Sequence, residues 1–246
     1  MILAVSIQKG GTGKTTTAAA IAQAAAYQGR RVLAVDLDPQ GNLSFTLDAY
    51  TGEGAGNSYD FLTNSRRPLQ IQTTPQDLDI IPASPDLSAL SSGPGSARRL
   101  QRALEPLKKE YDLIIIDTPP TAGELQYNAL QAADGLIIPL LADAYNIQSL
   151  YQITDTARQI RHSNPGLKIL GVVFTQYDGR STLTRQMREM ITAKAESLGA
   201  PYLGTVRAGV AVKEAAALRK SLFSYAPKSK PAADYLEIYN KITEEE

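Results

Sequence analysis

The feature that most constrains this chain is a glycine-rich loop near its N-terminus, Gln8-Lys9-Gly10-Gly11-Thr12-Gly13-Lys14-Thr15-Thr16. Residues 2–7 are mostly apolar and predict a short strand before the loop. Residues 16–27 are rich in alanine, contain neither glycine nor proline, and predict a helix after it. Because a strand, a glycine-rich loop and a helix follow in this order, the segment has the context that a phosphate-binding loop requires.

The chemistry of the loop follows from its residue types. Glycines let successive backbone N–H groups turn towards an anion, and the N-terminus of the following helix adds partial positive charge. Lys14 is expected to hold the β- and γ-phosphates, while the Thr15 hydroxyl can ligate the Mg²⁺ that accompanies them. The sequence therefore predicts a nucleoside triphosphate site, and its nucleotide-binding residues are Lys9, Gly10, Gly11, Thr12, Gly13, Lys14, Thr15 and Thr16.

The loop departs from the general pattern at one position. The strict motif G-x-x-x-x-G-K-[ST] begins with glycine, whereas this loop begins with Gln8 and carries a second lysine, Lys9. A glycine-rich linker that contains lysine by chance is the alternative interpretation. The strand and the helix predicted on either side of the loop disfavour that alternative.

Three aspartates follow two further predicted strands. Asp36 and Asp38 lie at the end of the strand predicted over 31–37. Asp117 follows the apolar run 113–116, which predicts a strand buried on both faces. Carboxylates at the C-terminal ends of parallel strands point into the crevice where α/β sheets bind ligands. An ordinary polar turn is the alternative for Asp36 and Asp38. Next to a phosphate loop, we expect these carboxylates to orient a water, to hold Mg²⁺ and to couple the loop to nucleotide state.

The rest of the chain alternates strands and helices. Strands are predicted over 78–82, 135–140, 168–175 and 202–206, and helices over 96–109, 146–162, 183–198, 212–219 and 232–242, with a break at Gly93-Pro94-Gly95. No linker interrupts this alternation. We therefore predict one α/β domain over residues 1–246, with a doubly wound, mostly parallel sheet flanked by helices.

Composition excludes several classes of function. The chain has no cysteine, which excludes thiol catalysis, disulfides and iron–sulfur ligation and fits a reducing cytoplasm. Because the first predicted strand begins at residue 2, we expect no signal peptide. No apolar run approaches the roughly 20 residues that span a bilayer. The single histidine, His162, lies in a polar helix-end context and is not expected to be catalytic.

The charges are balanced overall but not locally. The whole chain has 25 basic and 25 acidic residues. Between residues 180 and 230, however, only three acidic residues stand against ten basic ones: Arg180, Arg185, Arg188, Lys194, Arg207, Lys213, Arg219, Lys220, Lys228 and Lys230. Such an excess can support sequence-independent DNA binding, and a solvated basic face is the alternative.

Taken together, the three motifs resemble one family. Lys-Gly-Gly-Thr-Gly-Lys-Thr-Thr, Asp-Leu-Asp-Pro-Gln-Gly-Asn and Ile-Ile-Ile-Asp-Thr-Pro-Pro, in this order, are similar to the deviant Walker A ATPases of the ParA/MinD type. Gln8 agrees with that family's own loop pattern. Residues 210–215 and 225–229 look like the ParA branch, of the small type without an N-terminal helix-turn-helix domain.

The resemblance implies roles for the motif residues. It implies an ATP-sandwich homodimer in which Lys9 reaches the partner's phosphates, so that Lys9, Lys14 and Asp38 are the catalytic residues. Asp38 would activate the attacking water. The residues implied to organise Mg²⁺ are Thr15, Asp36 and Asp117.

The resemblance also implies partners. Members of the ParA branch bind DNA non-specifically as ATP dimers, and a ParB-like centromere-binding protein stimulates hydrolysis. We therefore expect a cytoplasmic, nucleoid-associated ATPase that partitions plasmid or chromosomal DNA, whose DNA contacts are Arg207, Lys213, Arg219 and Lys220.

Other branches of the family fit less well. The nitrogenase iron protein needs cysteine ligands, and the acidic end at 244–246 is unlike the basic membrane helix of MinD. Tyr225, Tyr235 and Tyr239 are too scattered for the tyrosine-rich tail of related kinases. Two alternatives remain open: a membrane- or cargo-positioning MinD-like ATPase, and a nucleotide-gated scaffold that scarcely hydrolyses ATP.

Overall fold

A computed structural model describes residues 1–52, 54–63, 71–93 and 95–244. Pro94 of the predicted break and the last two residues of the acidic end lie outside the described residues. Within these ranges eight strands form one sheet: β1 (Ile2–Val5), β2 (Val32–Asp36), β3 (Gln72–Thr73), β4 (Asp79–Ile81), β5 (Leu113–Asp117), β6 (Gly135–Leu140), β7 (Lys168–Tyr177) and β8 (Tyr202–Arg207). Their order is β3-β4-β2-β5-β1-β6-β7-β8, and every pair is parallel except β3 with β4.

The described residues also form α-helices on both faces of the sheet. These are α1 (Lys14–Tyr27), α2 (Asn42–Thr46), α3 (Ser58–Thr63), α4 (Arg99–Leu104), α5 (Glu124–Ala132), α6 (Asn146–Ile160), α7 (Thr182–Ser197), α8 (Val210–Ala217), α9 (Leu222–Tyr225) and α10 (Lys230–Glu244). One core cluster joins one face of the sheet to α4–α7, and the other joins the opposite face to α1, α2 and α8–α10. The predicted doubly wound, mostly parallel α/β fold is confirmed.

The central strands owe their position to their sequence. Every residue of β1 and β5 is buried, and successive side chains alternate between the two core clusters. Such strands need cover on both faces, which only a parallel sheet with helices on each side provides. The alanines of α1 are small enough for the helix to lie close between the sheet and α10.

The structure corrects one predicted helix. The predicted helix over 96–109 is a 3-10 turn at Ser96–Arg98, the short helix α4, and a second 3-10 turn at Glu105–Lys109. Pro106 has no N–H to donate back to the preceding turn, so the α-helix ends before it. The other predicted helices and strands are present with small shifts at their ends, whereas α2, α3, α5, α9 and β3 were not predicted.

None of the helices in the described part of the chain combines the length and the apolar character that crossing a bilayer needs.

Candidate functional site

The phosphate loop joins β1 to α1, and the end of β7 supports it. Gly13 caps α1 with a φ of 84°, and a Cβ at this position would lie 3.3 Å from the side chain of Thr175. Thr175 Oγ1 donates to the carbonyl of Thr12 at 2.7 Å, and Gln176 Nε2 donates to that of Gly11 at 3.3 Å. Since these two carbonyls are bound by the protein, the N–H groups of the loop are the ones left to meet an anion.

The two lysines of the loop have different surroundings. Lys14 is only 6% exposed, and its Nζ donates to the carbonyl of Lys9 at 2.8 Å. Burial lowers the pKa of Lys14, while the negative charges of Asp117 and Asp38 act in the opposite direction. An ammonium group held inside the loop, facing two carboxylates, is placed to neutralise phosphate charge.

Lys9 instead lies at the rim of the loop. Its Nζ forms an ion pair with Asp143 Oδ1 at 3.3 Å and stands 5.7 Å from the ring centre of Tyr145, which is 83% exposed. Both partners follow β6, in the turn before α6. The sequence carried no signal for this contact, because an aspartate and a tyrosine in a turn are common.

Asp36 and Asp117 are brought together by strand register. They are direct neighbours at the ends of β2 and β5. Asp36 Oδ2 accepts from the Ser44 amide at 2.8 Å and from the Ser44 hydroxyl at 2.7 Å, and Oδ1 accepts from the Asp38 amide at 3.1 Å. Burial raises the pKa of Asp36 to about 6, although these hydrogen bonds act against the rise. Asp36 therefore fixes the turn that carries Asp38 and the start of α2.

Asp117 is fully buried, and its carboxylate lacks such support. Within the described residues, neither of its oxygens has a hydrogen-bond partner of ordinary geometry. Burial and the nearby charge of Asp36 raise the pKa of Asp117 well above its usual range, whereas the Thr15 hydroxyl and the Lys14 ammonium lower it. A buried carboxylate without a partner is costly, so it calls for an unseen ion or water.

Asp38 lies at the mouth of an open cleft. It is 6% exposed, and its Oδ1 accepts from the amide of Gln40 at 3.0 Å. The cleft has a volume of about 540 Å³, and the segment 119–125 lines its other wall. Asp38 thus reaches a space that water can enter, next to the segment that follows Asp117.

The residues present fit a magnesium ion carried by a phosphate. Among the described residues no group of three or more histidines, cysteines, aspartates or glutamates is placed to hold a metal by itself. Mg²⁺ with a nucleotide does not need such a group, because it keeps several waters and takes one or two side chains plus phosphate oxygens. The Thr15 hydroxyl and the unpartnered Asp117 match that limited requirement.

A second cavity beside the loop was not predicted. It has a volume of about 420 Å³ and is lined by parts of α1, the ends of β7 and β8, and α8. Tyr235 of α10 forms part of its wall and keeps its hydroxyl 3.3 Å from Thr17 Oγ1. No sequence pattern pointed to this cavity, since its walls come from four distant segments.

The four predicted DNA contacts are all exposed but differ in their partners. Arg207 forms a two-pronged ion pair with Asp234, with Nε 2.9 Å from Oδ2. Arg219 pairs with Asp48 at 2.9 Å and lies 4.4 Å from the ring centre of Phe45. Lys213 and Lys220 have no ion-pair partner within the described ranges.

Comparison with known proteins agrees with this geometry. A family model described as an AAA domain matches residues 1–169. The sporulation initiation inhibitor protein Soj of Bacillus subtilis is 37% identical, over 98% of this chain and 97% of that protein. The chromosome partitioning protein ParA of Myxococcus xanthus is also 37% identical, over 96% and 85% of the two chains.

A solved structure gives the same fold. The cobyrinic acid a,c-diamide synthase of Mycobacterium smegmatis, with bound ADP and magnesium, superposes with a TM-score of 0.81 at 32% identity, covering 98% of this chain and 93% of that one. The chain belongs to the ParA/Soj family of P-loop ATPases, of the ParA/MinD type.

Proposed function

We propose that this member of the ParA/Soj family partitions DNA, plasmid or chromosomal, by means of an ATP-dependent homodimer that binds DNA non-specifically. The observation that carries the proposal is the pair of lysines on one loop. Lys14 is buried and faces the carboxylates, while Lys9 lies at the rim, where a second copy of the chain can meet it. The ParA relative named above is a chromosome partitioning protein, which supports this choice among the ATPases that share the fold.

ATP and Mg²⁺ are the cofactors of the proposed reaction. When bound, Mg²⁺ supplies positive charge against the phosphates. Lys14 neutralises the phosphate oxygens, Thr15 and Asp117 hold the ion, and Asp36 organises the site by fixing the Asp38 turn. Asp38 orients the water that attacks the γ-phosphate, and Lys9 of a second copy adds the charge that completes the site.

The cavity beside Gly13 offers a place for the base of the nucleotide. A purine ring needs a mostly apolar slot with a few polar groups, next to the phosphate site. The cavity adjoins Gly13 and Thr16, and Val206, Val212 and Tyr235 form apolar parts of its wall. This position supports an entire nucleotide lying across the start of α1.

DNA binding is assigned to the surface around α8. Of the four predicted contacts, Lys213 and Lys220 have the most available charge, because Arg207 and Arg219 already pair with acids. Lys213 also lines the cavity beside the loop, so nucleotide and DNA binding share an element.

Hydrolysis, stimulated by a ParB-like partner, would then release the DNA, in a cytoplasmic protein associated with the nucleoid. The continuous sheet supports one domain over residues 1–246.

The proposal is tested by binding to random duplex DNA without nucleotide and with ADP, ATP or a non-hydrolysable ATP analogue, over a salt series. We expect binding only in the triphosphate states, with an affinity that falls steeply as salt rises. Light scattering on the same samples reports whether the triphosphate also drives dimerisation.

Two controls separate the competing functions. Lys14→Ala should lose both dimerisation and DNA binding, because it cannot hold the triphosphate. Vesicles with anionic lipid replace DNA in a parallel co-sedimentation. Triphosphate-dependent dimers that bind vesicles and not DNA would overturn the partitioning proposal in favour of a membrane- or cargo-positioning ATPase. Phosphate release at background level in every condition would instead indicate a scaffold.

A further inference from the structure

The first residue of the phosphate loop has a side chain where the general pattern has none. Gln8 occupies the position at which the strict motif has glycine. Its Nε2 donates to Gln126 Oε1 at 2.9 Å and to Thr156 Oγ1 at 3.3 Å. The side chain therefore ties the entrance of the loop to α5 and α6, which a glycine cannot do.

From Gln126 the hydrogen bonds continue to the end of β5. Gln126 Nε2 donates to Ser6 Oγ at 2.9 Å, and Ser6 Oγ lies 3.0 Å from Thr118 Oγ1. Thr118 in turn donates to the carbonyl of Val5 at 2.9 Å. Gln126, Ser6 and Thr118 are fully buried. An unbroken chain of hydrogen bonds thus joins the first residue of the loop to the residue after Asp117, and both ends of the Gln126 amide take part.

Gln126 also sits where a nucleotide-dependent movement would begin. It lies in the first turn of α5, directly after the segment 119–123 that lines the cleft with Asp38. That segment ends at Gly123, whose φ of 146° side-chain-bearing residues rarely adopt. Segments at such a position commonly become ordered by a γ-phosphate and relax when it is lost. A shift of this segment would move Gln126, and Gln126 would move Gln8.

We propose that Gln126 is a positioning residue that couples the segment after Asp117 to the phosphate loop, so that preference for triphosphate over diphosphate depends on it. The inference rests on the proposed nucleotide binding. A ligand shifts a conformational equilibrium only by its difference in affinity for the two states. The Gln126 chain lets the γ-phosphate, acting on the segment 119–123, improve the fit of the loop around the other phosphates.

The chain offers a matched control on the same helix. Gln131 is also buried, at 2% exposure, and its amide makes two hydrogen bonds to Ser163, one donated at 3.1 Å and one accepted at 2.6 Å. Ser163 follows the end of α6, far along the chain from the loop and its carboxylates. Gln126→Leu and Gln131→Leu each remove two hydrogen bonds made by a buried glutamine of α5, so both are expected to lower the melting temperature.

The test compares affinity for a non-hydrolysable ATP analogue with affinity for ADP, each by titration calorimetry with Mg²⁺ present. In the unaltered protein and in Gln131→Leu, the ratio of the two dissociation constants should agree. In Gln126→Leu we expect the preference for the triphosphate to fall by about fivefold or more, the effect of losing a buried hydrogen bond. Gln126→Glu keeps the acceptor for Gln8 but removes the donor to Ser6, and should shift the ratio in the same direction.

The results that would overturn this inference differ from the result that would overturn the proposed function. An unchanged ratio in Gln126→Leu, or in Gln126→Glu if the leucine variant does not fold, would overturn the inference and leave the proposed function standing. An equal change in Gln131→Leu would also overturn it, since general loosening of α5 would then be the cause. No nucleotide binding by the unaltered protein would overturn the proposed function itself.

Discussion

The carboxyl edge of the sheet and the basic surface around α8 place their candidate functional side chains by different means. At the sheet edge, Asp36 and Asp117 are buried neighbours because β2 and β5 are paired in register. Around α8, the basic side chains are exposed, and their neighbours come from distant parts of the chain. Backbone pairing therefore fixes the positions of the carboxylates at the sheet edge. Around α8, the ion pairs between side chains determine which positive charges are available.

The acids that pair with the arginines show why the second region is harder to infer. Asp234 and Asp48 lie outside the stretch 180–230, whose charge made DNA binding plausible. Counting charges along the sequence therefore overstated the positive charge available on that surface. A motif at a strand end is not subject to this error, because the neighbouring strands determine its environment.

The largest expected effect is at the sheet edge. Lys14→Ala removes the buried ammonium that faces Asp117 and Asp38, and leaves their negative charge to repel phosphate. We expect affinity for ATP to fall by about a hundredfold or more, as for the loss of a buried charged partner. Fluorescence titration with a labelled ATP measures it.

Lys9→Ala is the matched control for this loss. Lys9 is on the same loop but lies at its rim, so a single chain should bind ATP within about threefold of the unaltered affinity. Dimerisation and hydrolysis, in contrast, should be lost. Equal losses of ATP affinity in the two variants would contradict the proposal that Lys14 binds ATP within one chain while Lys9 acts only in the dimer.

The next effect concerns stability rather than binding. Asp117→Asn removes a buried negative charge whose oxygens have no hydrogen-bond partner of ordinary geometry among the described residues. Without nucleotide and metal, we expect the free energy of unfolding at neutral pH to rise by about 1–3 kcal/mol, while affinity for Mg²⁺ with ATP falls. Urea denaturation in EDTA measures the first change, and calorimetry with Mg²⁺ measures the second.

The raised pKa of Asp117 also predicts how the free energy of unfolding changes with pH. The pKa of Asp117 is raised in the folded state, so the folded protein binds its proton more tightly than the unfolded chain does. Its contribution to the free energy of unfolding therefore decreases as pH rises above about 4, where the unfolded chain loses the proton. Asp36, with a pKa of about 6, adds a decrease of the same sign between about pH 4 and pH 6. Asp117→Asn should weaken this fall, and an unchanged pH profile would contradict the assignment.

The sequence predicted the glycine loop and the aspartates at the carboxyl edge of the sheet, but not helix α5 and its buried amides. The glycine loop and the strand-end aspartates follow from local pattern and from the way parallel strands align. Helix α5 was missed because Gln126, Asn128 and Gln131 are buried amides, which hide the apolar period of the helix. Their partners come from remote segments: the amide of Leu100 donates to Asn128 Oδ1, for example. Such contacts depend on tertiary packing, which the pattern of a single sequence does not reveal.

A smaller effect tests the basic surface. Lys220→Ala removes an exposed charge that has no acidic partner among the described residues, so the salt slope of DNA binding should fall by about one unit per protomer. Arg219→Ala combined with Asp48→Ala removes a pair of no net charge. The double variant should keep the slope of the unaltered protein. A fall as large as that of Lys220→Ala would show that Arg219 leaves its partner to reach DNA.

The smallest effect joins the two regions of the comparison, since Lys9 belongs to the loop but behaves like a surface charge. Its ion pair with Asp143 is partly exposed, so Asp143→Asn should change the free energy of unfolding by less than about 1 kcal/mol. In the proposed dimer, the ion pair would nevertheless have to break before Lys9 reaches a second copy. Its removal should therefore make ATP-driven dimerisation easier by a few fold, about the worth of one exposed pair. Sedimentation at several protein concentrations measures the dimer constant, and Asp155→Asn, which breaks the exposed pair with Arg158 on α6, is the control. A weaker dimer in Asp143→Asn would mean that this carboxylate helps to position Lys9 in the dimer rather than to hold it back.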